Sequence, residues 1–179
     1  MTRIPVSTSV PVKASPVTTR DASGVDDLAA LKPLWLSLHH HHRAVSPSEH
    51  LLNDDATSWK RRGAVYESWL RSGTAIVLVA DLSSGTAGYL VAHVRDGPDD
   101  TFAVAHRYAE LYSLSVAPTH RSRGIGTALL DALDQRLEAL GIHDLTVAVI
   151  VGNDDALRLY QARGIKPTEI TLWRPRHSR

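Results

Sequence analysis

Apolar positions recur along this chain with two periods, and the change of period marks its elements. Over residues 26–43, Leu28, Leu31, Trp35 and Leu38 follow one another at three- and four-residue steps, which places them on one face of a helix. Pro33 lies inside this stretch and either kinks the helix or begins its main part. Residues 46–48, with Pro47 at their centre, break the pattern. Asp54 or Asp55 then caps a second predicted helix running to about residue 71. Trp59, Val65, Trp69 and Leu70 form its inward side, and Gly73 ends it.

The strands read differently. Residues 17–20 predict a short first strand. Residues 75–80, AIVLVA, are apolar without a break, as in a strand covered on both faces. A tight turn at 83–85 sends the chain back along 87–94 and predicts an antiparallel hairpin. A loop at 97–100 leads to a strand at 108–116, stopped by Pro118. Residues 124–140 carry the clearest helical stripe, Ile125, Leu129, Leu133, Leu137 and Leu140, with Gly141 as the stop. A further apolar strand follows at 145–151, so strand, helix and strand predict a right-handed parallel crossover. A short helix at 154–163, ended by Gly164, and a last strand at 169–173 complete the pattern.

These elements predict a mixed α/β fold in one domain over 17–175, with a mixed sheet and helices on both faces. The first 16 residues are rich in Ser, Thr, Val and Pro and read as a mobile tail without the apolar stretch of a secretory signal. A net charge of +1 argues against a broad nucleic-acid-binding face. No segment is long and apolar enough to span a membrane. There is no Cys, so neither disulfide nor thiol chemistry is available, and a reducing cytoplasmic setting is compatible with that.

The chemistry gathers where the 108–116 strand meets the following helix. The run from Leu114 to Thr127 ends a strand, crosses a short loop and opens a helix at Gly124 and Gly126. The first N–H groups of a helix lack internal partners and carry partial positive charge, so a phosphate can rest on them. Glycines let it approach, and Arg121 and Arg123 add charged donors. Taken alone, the glycine pair fits a tight turn with close helix packing equally well. It is neither a P-loop nor the full dinucleotide fingerprint.

The combination is more specific. Arg121-x-x-Gly124-x-Gly126 between that strand and that helix resembles the pyrophosphate loop of the GNAT superfamily of N-acetyltransferases. Asn153, followed by Ala156, Leu159, Tyr160 and Gly164, is similar to the family's second motif, with Ile165 where Phe is usual. The resemblance covers residues 17–173. It implies a strongly twisted sheet whose central parallel strands splay apart, and acetyl-CoA as co-substrate. Leu114, Ser115 and Val116 would meet the pantetheine arm, the backbone of Leu114 and Val116 pairing with it like an added strand. Arg121, Ser122, Arg123, Gly124, Ile125, Gly126 and Thr127 would wrap the pyrophosphate. Asn153 would bond the cofactor arm or orient nearby backbone.

Acyl transfer to an amine needs a base, and the departing thiolate needs a proton. Glu110 resembles the family's catalytic glutamate, directly or through water; the other reading is a carboxylate that binds a cationic substrate or pairs with an Arg. Tyr160 matches the family's general acid; the other reading is a core aromatic. Tyr112 shares a strand face with Glu110 unless a bulge intervenes, and lines the acceptor pocket or packs. The run His39 to His42 reads as a solvated helix end, as part of the acceptor pocket through His39 and His42, or as a metal site. No carboxylate set accompanies it, and no metal is expected. The expected partner is a small-molecule or peptide amine, without nucleic acid or membrane, and the family is compatible with a homodimer. Direct transfer in a ternary complex is the leading reading. A non-catalytic acyl-CoA-binding regulatory module is the alternative.

Overall fold

The computed structural model describes residues 17–97 and 103–174. The expected tail at 1–16, residues 98–100 of the predicted loop and residue 175 lie outside them. The elements run β1 (Thr18–Asp21), α1 (Val25–Ala30), α2 (Lys32–Val45), α3 (Asp55–Arg71), β2 (Ala75–Leu82), β3 (Gly85–Asp96), β4 (Arg107–Val116), α4 (Ile125–Ala139), β5 (Leu145–Val147) and α5 (Asp154–Gln161). The strands form one sheet in the order β1-β2-β3-β4-β5, antiparallel except for the β4–β5 pair.

Helices cover both faces, as the unbroken apolar strand at 75–80 predicted. Along β2, Ile76, Leu78 and Ala80 pack with Ile125, Leu129, Leu130 and Leu133 of α4. Val77 and Val79 turn the other way, toward Leu28, Leu31 and Leu34 of the α1–α2 region and Tyr66 of α3. The α4 stripe is buried from Ile125 to Leu137, while Leu140 ends up half exposed. Each fully buried Leu or Ile of this stripe contributes about 1.5–3 kcal/mol relative to exposure. Pro33 sits in the first turn of α2, where its missing N–H leaves nothing unpaired, and Leu31 joins α1 to α2. Asp54 caps α3 by accepting the Thr57 N–H at 2.9 Å.

Three expectations are corrected. The side of α3 that faces the sheet centres on Tyr66, fully buried, whereas Trp59 and Val65 are only partly covered. The fifth strand stops at Val147 instead of 151. Residues 169–173 form no strand, and Ile170, Leu172 and Trp173 stand 84%, 88% and 79% exposed. In both strand cases the apolar pattern is present but the neighbouring ladder is not, and a strand is a paired state.

A bulge in β4 decides how the site is built. Val91 of β3 faces Ser113, yet Ala92 faces Leu111, so Tyr112 is the extra residue. The strand therefore changes phase. Ala109 and Leu111 pack on the α4 side before the bulge, and Leu114 and Val116 do so after it. Ser113 and Ser115 point to the α1–α3 side. The Tyr66 hydroxyl donates to Ser113 Oγ at 2.5 Å, and Ser113 Oγ donates to the Tyr112 carbonyl at 2.8 Å. Ser115 Oγ donates to the Leu34 carbonyl at 2.9 Å. These buried bonds fix the bulge and tie it to α2 and α3.

Candidate functional site

The site begins where two strands stop touching. β5 pairs with β4 only at Ala109↔Leu145, Glu110↔Thr146 and Leu111↔Val147. Beyond them the strands part. The Ala117 N–H donates to Ala87 of β3, so alternation back along β4 turns Ser115 toward β3 and Leu114 and Val116 toward the gap. Apart from the Val116 carbonyl, which accepts from Arg121, their backbone groups form an open edge. A narrow cleft of about 60 Å³ occupies the gap, bordered by Leu38, His42, Tyr112, Leu114, Asn153 and Tyr160 among others.

At the end of β4 the chain makes a short 3-10 turn, Pro118–His120, and enters α4 through two left-handed residues, Ser122 (φ 58°) and Gly124 (φ 78°). Gly124 is the N-cap of α4, and no side chain caps the helix. The first turn of α4 holds no acidic residue. Its free N–H groups face an exposed loop, where successive N–H groups can converge on an anion. Arg121 and Arg123 are exposed beside it, and Arg121 Nε donates to the Val116 carbonyl at 3.3 Å. Gly126 leaves room next to Val116 and Leu159. Thr127 is exposed, whereas the Ile125 side chain belongs to the core, so only its backbone faces the loop. This arrangement fits a diphosphate continued by an extended arm along the β4 edge. Ser115 falls outside it, because its hydroxyl and backbone are both engaged internally.

Tyr160 reaches the cleft from α5. Burial pushes its phenol up to about 12, so it stays protonated across the working pH range. Asn153 caps α5 through the Ala156 N–H at 3.4 Å and accepts from His41 Nε2 at 3.3 Å, so its carbonyl oxygen already orients backbone. Gly152, at φ 93°, passes so close to α2 that a Cβ there would lie 2.2 Å from the Val45 carbonyl oxygen. This contact and the His41–Asn153 bond brace the end of α2 against the start of α5.

The histidine run divides. His42 borders the cleft, and burial, aided by His41, His39 and Arg62, holds its pKa down to about 4, so it is neutral at physiological pH. His39 is buried, donates to the Asn53 carbonyl at 2.9 Å and stacks on Trp35. It braces the α2–α3 connection and does not border the cleft, which corrects its placement in the acceptor pocket. His40 donates to Asp55 at 2.7 Å on the surface.

Glu110 sits on the α3 side of β4, where Arg95 donates to its carboxylate at 2.7 Å. It does not border the cleft. Beside it His93 stacks on Trp69 at 3.9 Å, and the Trp69 ring meets Tyr112 edge-on at 4.7 Å. Glu110 and Tyr112 do share a face, since the phase change follows them. Arg62 and Ser113 went unread in the sequence. Arg62 lies one helical turn before Tyr66, and the apolar positions of β4 slip from odd (109, 111) to even (114, 116), which is the written trace of the bulge.

The description "Acetyltransferase (GNAT) family" matches residues 35–165. An L-2,4-diaminobutyric acid acetyltransferase of Nocardia farcinica is 26% identical over 113 residues. That match covers 60% of this chain and 54% of the relative, so the chain spans about half of that protein's length. An L-methionine sulfoximine/L-methionine sulfone acetyltransferase of Pseudomonas paraeruginosa is 26% identical over 147 residues, covering 82% of this chain and 78% of the relative. Among solved structures, an aminoglycoside N-acetyltransferase in complex with CoA superposes with a TM-score of 0.69 at 19% identity, covering 94% of this chain and 100% of that one. That last likeness is one of fold.

Proposed function

Because the chain belongs to the acetyltransferase (GNAT) family, we propose that it transfers an acetyl group from acetyl-CoA to the primary amine of a small molecule, by direct attack in a ternary complex. The observation that carries this reading is the open β4 edge at Leu114 and Val116, which runs from an uncapped helix start to a protonated Tyr160. Acetyl-CoA supplies the activated acetyl group. The loop from Arg121 to Thr127 holds its diphosphate, and the β4 edge holds its arm and polarises the carbonyl.

The amine nitrogen attacks the carbonyl carbon, and the carbon–sulfur bond breaks. Tyr160 donates its proton to the departing sulfur. The amine proton leaves toward Glu110 through water, because Glu110 lies beyond the cleft, with the uncharged His42 as the nearer acceptor. The cleft contains no Cys, so transfer needs no acyl-enzyme at a thiol. Relatives named for acetylating diaminobutyric acid and methionine sulfoximine support small amino-acid-like amines as the acceptor class. Among the described residues no helix is long and apolar enough to cross a membrane.

The test is release of free CoA by the purified protein with acetyl-CoA and a panel of diamines, amino acids and aminoglycosides, with mass spectrometry of the products. Acetylated amine with stoichiometric CoA is the expected result. Tight CoA binding without any acetylated product would replace the transferase by the non-catalytic binding module.

A further inference from the structure

Arg62, on α3, has its guanidinium held between aromatic rings. Its Cζ lies 4.5 Å from the centre of the Trp35 ring and 4.1 Å from that of Tyr112, with Tyr66 at 5.9 Å. Stacking occupies the faces of the group and leaves its N–H edges as the directions for hydrogen bonding. One of those edges is not satisfied. Nη1 is buried without a hydrogen-bond partner, and among the described residues Arg62 enters no ion pair. Glu67 of α3 and Glu110 of β4, on the elements that carry Arg62 and Tyr112, pair with Arg71 and Arg95 instead. A partly buried guanidinium with one buried, unpaired N–H edge is an unfavourable arrangement that an anion in its plane relieves.

The position gives that anion a meaning. Tyr112 packs on Arg62 and also borders the cleft, so the two surfaces share one side chain. His42 borders the same cleft and feels the charge of Arg62. A group docked on Arg62 therefore lies on the acceptor side of the bulge, next to where the amine must stand. A planar carboxylate matches the guanidinium fork.

We propose that Arg62 anchors a carboxylate of the acceptor, so that the substrate is an amino acid or a related amino-carboxylate and not a simple polyamine. This rests on the transferase reading. Within it, Trp35 and Tyr112 hold the fork in plane, Arg62 binds the acid group, and the amine projects toward the thioester. Arg62 is a specificity-determining residue and takes no part in the proton transfers.

The experiment compares four pairs that differ only by a carboxylate: L-2,4-diaminobutyrate with 1,3-diaminopropane, L-ornithine with putrescine, L-lysine with cadaverine, and L-phenylalanine with phenethylamine. Binding to the CoA-saturated protein is measured by calorimetry, and CoA release is measured on the same preparations. In at least one pair the acid is expected to bind at least tenfold more tightly than its amine. Arg62→Gln is expected to reduce that ratio at least tenfold through the KM of the acid, with CoA affinity as the control for folding, and Arg62→Lys to recover part of it. Absence of a preference in every pair, or a preference that survives Arg62→Gln, overturns the proposal. CoA release without the preference sinks the anchor alone, whereas no release with any of these or the wider amine panel sinks the transferase reading itself.

Discussion

Replacing Gly152 by Ala tests the brace between α2 and α5. Two terms act against the alanine. The backbone there has φ 93°, where an L side chain costs on the order of 1–2 kcal/mol. The added Cβ would also stand 2.2 Å from the Val45 carbonyl oxygen, against roughly 3.3 Å for an ordinary carbon–oxygen contact. The obstacle is backbone at the end of a helix, so the two segments must part by about 1 Å, and overpacking of this kind costs about 1–3 kcal/mol. The sum is about 2–5 kcal/mol. Gly164→Ala is the control, because φ is 83° there and nothing lies within 4 Å of the new atom, so only the first term applies. Urea melts of the two variants, extrapolated linearly, give the difference directly. Gly152→Ala should lose about 1–3 kcal/mol more than Gly164→Ala and should also lower turnover, since Asn153 and Tyr160 follow Gly152. Equal losses in the two variants would refute the claimed contact.

Four further outcomes are expected. Tyr160→Phe should lower kcat by roughly a hundredfold while leaving CoA affinity within a factor of about three; an unchanged kcat removes Tyr160 from the acid role. Glu110→Gln should lower kcat/KM by roughly a hundredfold and erase the acidic limb of the pH profile, whereas Arg95→Ala should keep that limb; matching profiles for the two variants would leave Glu110 only its ion pair. Tyr66→Phe removes a buried donor from Ser113 and should cost about 1–2 kcal/mol in urea melts; a neutral result would mean the bulge does not depend on that bond. His42 binds its proton far less readily when folded than when unfolded, so its contribution to stability is intact above pH 6.5 and is lost as pH falls toward about 4. Allowing for partial exposure, the loss is roughly 1–2 kcal/mol, and a wild-type curve no steeper than that of His42→Gln would contradict it.

What the sequence disclosed was local. The α4 stripe, the Asp54 cap, the β2–β3 hairpin and the helix start at Gly124 each follow from neighbours a few positions apart. Among the candidate residues, Tyr160 and His42 both border the cleft. Long-range facts were harder to read. The apolar run at 148–151 predicts a strand, but whether it pairs depends on a strand edge elsewhere; β5 ends at Val147, and Val151 stands 71% exposed. Nothing near Arg62 in sequence announces that Trp35 and Tyr112 will enclose it, because they lie on α2 and β4. Ser115 is adjacent to cleft residues along the chain but is turned inward by a phase set three residues earlier, at Tyr112.

The displaced register at Tyr112 has a consequence for how such a protein diversifies. One side of β4 packs with α4, whose start would hold the cofactor on the transferase reading, and the other meets α1–α3, where Arg62 would meet the acceptor. Substitutions in α2 and α3 would then remodel what is recognised while the cofactor stays held from the opposite layer. Inheritance of the cofactor grip and drift of the clientele would thereby fall to opposite faces of one sheet.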